Sequence, residues 1–164
     1  MGDAVNTPNG CVARATDWFA HLTQASLGSI GEIYARDAHF KDPFNDVTGI
    51  DRIQAIYAHM FENLTDPRFE ITLTIEQADA IVGSDWGDKE HERHVLAFVA
   101  WQFKFEWRGQ KFDIPGGTRF VFNQEGLIAD HVDYWDVAQG LYERLPLIGA
   151  VLRMLRQRMA TPAS

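Results

Sequence analysis

The strongest constraint in this chain is a change of hydrophobic period near residue 66. Before it, apolar residues recur three and four apart, the spacing of one helix face. After it, they alternate with polar residues, the spacing of one sheet face. Val12, Ala15, Phe19 and Leu22 mark a first helix starting at Cys11, and Gly28 breaks the pattern. Leu27, Ile30, Ile33 and Tyr34 read as a second, shorter helix. Ala38 to Lys41 reads as a short strand stopped by Pro43, which lacks a ladder donor. Thr48-Gly49-Ile50-Asp51 has capping-box spacing, with Asp in place of Glu. Behind it Ile50, Ile53, Ile56, Tyr57, Met60, Phe61 and Leu64 trace a third helix face that ends at Asp66-Pro67.

Beyond that point Phe69, Ile71, Leu73 and Ile75 alternate with Glu70, Thr72, Thr74 and Glu76. Gly83 to Glu90 is polar and reads as a loop. Val95, Ala97, Val99, Trp101, Phe103, Phe105 and Trp107 then share one face of a long strand. Arg108-Gly109 is a hairpin turn. Phe112 to Phe122 returns, and Pro115-Gly116-Gly117 is expected to put a bulge or kink in it. Asn123 to Gly126 is a further turn, and Leu127 to Trp135 is the last strand. Helices followed by hairpin-linked strands give an α+β class: a strongly bent, mostly antiparallel sheet wrapped over three helices.

With 164 residues the chain is long enough for one domain with a real core. Residues 1–10 read as a loose, disordered leader without the basic-then-apolar run of a signal peptide. Residues 11–137 form the domain, and residues 138–160 a C-terminal amphipathic helical extension. In that extension Leu141, Leu145, Ile148, Val151, Leu152 and Leu155 are apolar, while Arg144, Arg153, Arg156 and Arg158 are basic. A brace on the sheet is the expected role; contact with a membrane surface or partner is the alternative. A net charge of −8 argues against nucleic-acid binding, which needs a basic surface. Cys11 is the single cysteine, so no intrachain disulfide forms, and a reducing, cytoplasmic setting fits.

Asp42-Pro43-Phe44, followed by Gly49, an Ile-rich helix and Tyr57, resembles the signature of the ketosteroid-isomerase and SnoaL-like branch of the NTF2-like superfamily. Asn123-Gln124-Glu125-Gly126-Leu127-Ile128, leading to Tyr134-Trp135, is similar to that family's last hairpin. The resemblance spans about residues 12 to 136 and implies a cystatin-like cone around a pocket. It also implies a homodimer through the outer sheet face, which here carries Leu96, Phe98 and Ala100 beside Gln102 and Lys104.

Asp42 stands where the isomerases carry their general base, and Tyr57 where they carry a pocket tyrosine. A carboxylate beside an apolar pocket loses hydration, which favours basicity; the alternative is a turn-forming Asp before Pro. The oxyanion hole of these isomerases, built from a tyrosine and a protonated Asp, is not matched: Trp18 and Thr118 stand at the corresponding positions. Classical steroid isomerisation is therefore not expected. Alternation instead puts His131, Asp133 and Trp135 on one face of the last strand. The resemblance of the last hairpin implies that this face looks into the pocket; the alternative is a solvent-facing pair near the sheet edge. Asp42, His131 and Asp133 are the candidate catalytic residues. Trp18, Tyr57, Phe61, Val99, Trp101, Phe103, Thr118, Phe120 and Trp135 are the candidate lining. His39 reads as structural, and His91 and His94 lack a ligand array for a metal. No cofactor is expected, since phosphate loops and nucleophile elbows are missing from the sequence. Two functions remain open: a cofactor-independent isomerase, cyclase, dehydratase or hydrolase acting on a small hydrophobic molecule, or a non-catalytic binding module.

Overall fold

Helix α1 (Pro8–Ala20) opens on a proline, whose missing N–H is no loss in a first turn. It starts three residues before the expected Cys11, within the stretch read as a leader. The computed structural model describes residues 8–81 and 93–137. The expected loop at Gly83 to Glu90, His91 and the C-terminal extension lie outside the described residues. A 3-10 helix (Ala25–Glu32) follows α1 and buries Leu27 and Ile30. Six strands and one further helix complete the order: β1 (Tyr34–Lys41), β2 (Asp46–Thr48), α2 (Ile50–Asn63), β3 (Thr65–Ile81), β4 (Arg93–Trp107), β5 (Gln110–Phe122) and β6 (Ile128–Trp135). The sheet order is β2-β1-β6-β5-β4-β3. Among these pairings β1–β6 is parallel and the others are antiparallel. The fold is thus α+β, with a curled sheet packed on the helices.

Four local expectations are corrected. Tyr34 begins β1 instead of ending a helix, and the β1–β6 register shifts between Tyr34 and His39. The capping box does not form: Thr48 pairs with His39 as the last residue of β2. Gly49 is the N-cap of α2, at φ +106, and it has no side chain with which to cap. Its amide instead bonds Ala38 O of β1, and its carbonyl accepts from Arg52 and Ile53. A left-handed φ of that kind favours glycine.

The third correction lies in β3. Its pairing with β4 shifts register between Ile71 and Leu73. One extra residue exchanges the two faces of a strand. Phe69 and Ile71 therefore pack on the core, whereas Leu73 and Ile75 lie on the outer face, 52% and 56% exposed.

The fourth correction concerns Pro115-Gly116-Gly117, which passes through the β4–β5 ladder with unbroken register. The glycines serve close packing. A Cβ on Gly116 would fall 2.2 Å from the Trp101 ring, and one on Gly117 2.5 Å from the Phe98 ring. The two aromatics lie against bare backbone on opposite faces of the sheet.

Both expected turns are present. Arg108 and Gly109 have φ of 51° and 76°, the left-handed pair that suits a two-residue hairpin. Asn123 Oδ1 accepts from the amides of Glu125 and Leu127, and Gly126 has φ 72°. The main core lies between the helices and the inner sheet face, where Val12, Phe19, Ile53, Tyr57, Val99, Phe120 and Ile128 are buried.

Candidate active site

The inner face of the curled sheet and helix α2 enclose an aromatic cavity of about 330 Å³. Phe40, Phe44, Ile56, Met60, Leu64, Phe69, Trp101, Phe103, Phe105, Trp107, Ile114 and Trp135 supply its apolar wall. Its polar lining is Asp42, Tyr57, His59, Asn63 and Asp133. A chamber of about 20 Å³, room for roughly one water, adjoins it. The chamber shares Tyr57, Phe69, Trp101 and Asp133 with the cavity and adds Thr16, Phe19, Ile71, Val99, Thr118, Phe120 and His131.

Strand β6 puts His131, Asp133 and Trp135 on one face, as alternation predicts, and that face is the inner one. His131 is 2% exposed. Its Nε2 lies 2.8 Å from Asp133 Oδ1 and its Nδ1 2.5 Å from Tyr34 Oη. Tyr34 Oη in turn lies 2.9 Å from Tyr57 Oη. On the other side, Thr118 donates to Asp133 Oδ1 at 2.5 Å, and Trp101 Nε1 donates to Thr118 at 2.8 Å. The result is one continuous chain, buried except for part of Asp133: Tyr57, Tyr34, His131, Asp133, Thr118, Trp101. Rings of Phe40 and Phe120 meet the imidazole edge-on at 4.6 and 4.8 Å, and it meets open space only at the one-water chamber. Burial pushes both Tyr34 and Tyr57 well above the ordinary phenol range, so both hydroxyls hold their protons.

Asp42 reaches the cavity from the loop joining β1 and β2. Its Oδ1 accepts from the amides of Phe44 and Asn45 at 2.7 and 2.6 Å and from Asn45 Nδ2 at 3.0 Å. Its Oδ2 accepts from Asn45 Nδ2, also at 3.0 Å. Asp42 thus closes its own turn and also lines the cavity. Exposed Phe44 meets Trp135 edge-on at 5.5 Å beside it.

Two expected lining residues stand elsewhere. Trp18 packs its edge against Tyr34 and Tyr57, lines neither space, and its buried Nε1 has no hydrogen-bond partner among the described residues. Phe61 is half-buried against the core and lines neither space. Helix periodicity puts a residue on a face but does not say which part of a cavity that face reaches. Sequence reasoning misses Tyr34, whose spacing fits a helix face. Phe105 and Trp107 extend the face of Trp101 and Phe103, so strand alternation already carries the signal for them.

His39 lies on the opposite face of β1 from Phe40. Its two ring nitrogens meet Asp130 Oδ1 at 2.7 Å and Asp46 Oδ1 at 2.8 Å. Arg119 and Lys41 complete this cluster on Asp130 and Asp46. Burial opposes charge on His39, but the bonds to Asp130 and Asp46 outweigh it and hold the imidazole above its ordinary range. It is a structural tie, as expected.

The SnoaL-like domain model matches residues 15–131. No curated protein sequence matches significantly. A Catenulispora acidiphila protein with a ketosteroid isomerase-like fold, solved in complex with trimethylamine, superposes with a TM-score of 0.61 at 18% identity, over 79% of this chain and 88% of its own. A steroid delta-isomerase from Pseudomonas aeruginosa gives 0.52 at 15% identity, over 94% and 95%. An LEH-like epoxide hydrolase from M. tuberculosis gives 0.53 at 16% identity, over 89% and 96%. At these identities the structures establish the fold alone. The chain belongs to the SnoaL-like domain family.

Proposed function

We propose that this chain is a cofactor-independent acid–base enzyme of the isomerase, cyclase, dehydratase or hydrolase kind, acting on a small hydrophobic molecule. The observation that carries this is the buried imidazole of His131, held between Tyr34 and Asp133 next to an aromatic cavity of about 330 Å³. A fixed imidazole–carboxylate pair in a mainly apolar wall can take or give a proton with little reorganisation. His131 and Asp133 are the acid–base pair in this reading. Asp42 is a second carboxylate at the cavity, kept in place by its own turn. Tyr57 and the ring of aromatics seat the ligand. Steroid isomerisation of the familiar kind has little support: Thr118 spends its hydroxyl on Asp133, and Trp18 does not line the cavity.

The reading includes a homodimer through the outer sheet face, supported by the exposure there of Leu73, Ile75 and Phe98. No helix among the described residues is long and apolar enough to cross a membrane.

The test is turnover of a panel of aromatic ketones, hydroxy ketones and epoxides, followed by proton NMR in deuterated buffer. His131→Gln and Asp133→Asn are expected to lower turnover by roughly 10²–10⁴-fold, with ligand affinity largely kept. Turnover that survives both substitutions would remove the pair from the chemistry. Asp42→Asn keeps an acceptor oxygen for the loop amides, so it separates a base from a turn carboxylate. Full loss of turnover in that variant, with unchanged affinity, identifies Asp42 as the base.

A further inference from the structure

The hydroxyl of Tyr34 stands between two groups that the acid–base reading uses separately: Tyr57 Oη at 2.9 Å and His131 Nδ1 at 2.5 Å. Tyr34 is 1% exposed and does not line the aromatic cavity, whereas Tyr57 and Asp133 both do. The two ends of the hydrogen-bonded run from Tyr57 to Asp133 thus line one cavity, while its middle is buried and meets only the one-water chamber, at His131.

Counting protons along the run fixes its polarity. An ionised Asp133 only accepts, so His131 Nε2 carries a proton toward it. Nδ1 is then either bare or protonated. When it is bare, Tyr34 donates to it and has no proton left for Tyr57. Tyr57 must donate to Tyr34, and it offers the cavity lone pairs only. When Nδ1 is protonated, every bond reverses. Nδ1–H donates to Tyr34, Tyr34 donates to Tyr57, and the Tyr57 proton is free for the cavity. Tyr57 therefore exchanges acceptor for donor whenever His131 gains a proton.

Resting on the acid–base reading above, we propose that Tyr34 is a proton relay from the cavity to His131, and that the site takes a ligand with an acidic O–H, an enol or a phenol, seated at Tyr57. The ligand gives its proton to Tyr57 Oη. The Tyr57 proton passes to Tyr34 Oη, and the Tyr34 proton passes to His131 Nδ1. The electron pair of the broken O–H bond stays on the ligand oxygen, as enolate or phenolate. The imidazolium that results is paired with the Asp133 carboxylate, and the Tyr57 hydroxyl now donates to the new oxyanion. The three transfers go together, because burial disfavours a tyrosinate at either tyrosine. Tyr34 touches no ligand, so it is a positioning residue whose hydroxyl passes a proton while staying neutral.

The test needs no turnover. The full-length protein is titrated with 4-nitrophenol at a pH where the free probe is mainly neutral, and absorbance separates phenol from phenolate. Binding is expected to raise the phenolate-to-phenol ratio about ten-fold over the free probe, a shift of one pKa unit. Nitrogen-15 NMR should show His131 Nδ1 gaining a proton in step. Tyr34→Phe keeps the ring and removes the hydroxyl; it should bind the probe with similar affinity but leave it neutral. Should that variant fail to fold, Nδ1 in the native protein still decides. A probe that does not bind, or that stays neutral when bound, overturns the proposal. So does an Nδ1 signal that ignores the probe, or a Tyr34→Phe protein that ionises it equally well. Probe ionisation in a protein without turnover keeps the relay and removes the enzyme. Turnover with no ionisation does the reverse.

Discussion

A single oxygen, Asp133 Oδ1, takes both the imidazole of His131 and the hydroxyl of Thr118. Thr118 also accepts from Trp101, so one small side chain orients a carboxylate and an indole together. Thr118→Val keeps the shape but takes away the protein acceptor of the buried Trp101 N–H. The expected loss is roughly 1–3 kcal/mol, read by denaturant unfolding; an unchanged midpoint would show that Thr118 carries no such load. Gly116 gives Trp101 its place, since a Cβ there would meet the ring at 2.2 Å. Gly116→Ala should move the indole, shift tryptophan fluorescence and destabilise by about 1–3 kcal/mol. Strand alternation puts His131 and Asp133 on one face, and the resemblance of the last hairpin turns that face inward. Tyr34 is not, because its spacing from Leu27, Ile30 and Ile33 also fits a helix face.

Strand β2 is short, and it is pinned to the sheet largely from one side. His39 of β1 joins Asp46 of β2 to Asp130 of β6, with Lys41 on Asp46 and Arg119 on Asp130. This clamp holds the loop that bears Asp42. His39 is raised above its ordinary range, so its contribution is complete below its unfolded value of about 6.5 and fades as pH rises through the folded value. Asp46 is lowered by His39 and then Lys41, so its contribution is present above about pH 4 and fades as pH falls. The clamp is strongest between these limits. The melting temperature of the native protein should exceed that of His39→Asn at about pH 6, and the gap should narrow by about pH 8.5. A gap that does not change with pH would mean that the tie is not ionic. Strand β3 teaches the same dependence on neighbours. Its alternation is regular from Phe69 to Ile75, yet pairing with β4 inserts a register shift that sends Leu73 and Ile75 outward. A local pattern cannot reveal a bulge, because the extra residue is defined only against the partner strand.

At the scale of the molecule, that bulge makes the outer sheet face more apolar than one strand alone predicts, with Leu73 and Ile75 added beside Phe98. Ile75→Lys combined with Phe98→Lys is expected to give a monomer by sedimentation while the native protein sediments as a dimer. A monomeric native protein at micromolar concentration would contradict pairing through this face. The architecture was largely written in the chain: the period change gave helices then strands, and turn residues at Arg108-Gly109 and Asn123–Gly126 set the hairpins. Those are local signals, since backbone conformation and side-chain direction follow from neighbours a few residues away. Which polar atoms meet is a different matter. Tyr34 and His131 lie 97 positions apart, and they join at 2.5 Å only because β6 lies parallel beside β1 with a shifted register. A hydrogen bond tolerates an error of a few tenths of an ångström. Periodicity puts His131 on a strand face but reads Tyr34 as helical, and only the folded sheet brings their atoms within that margin.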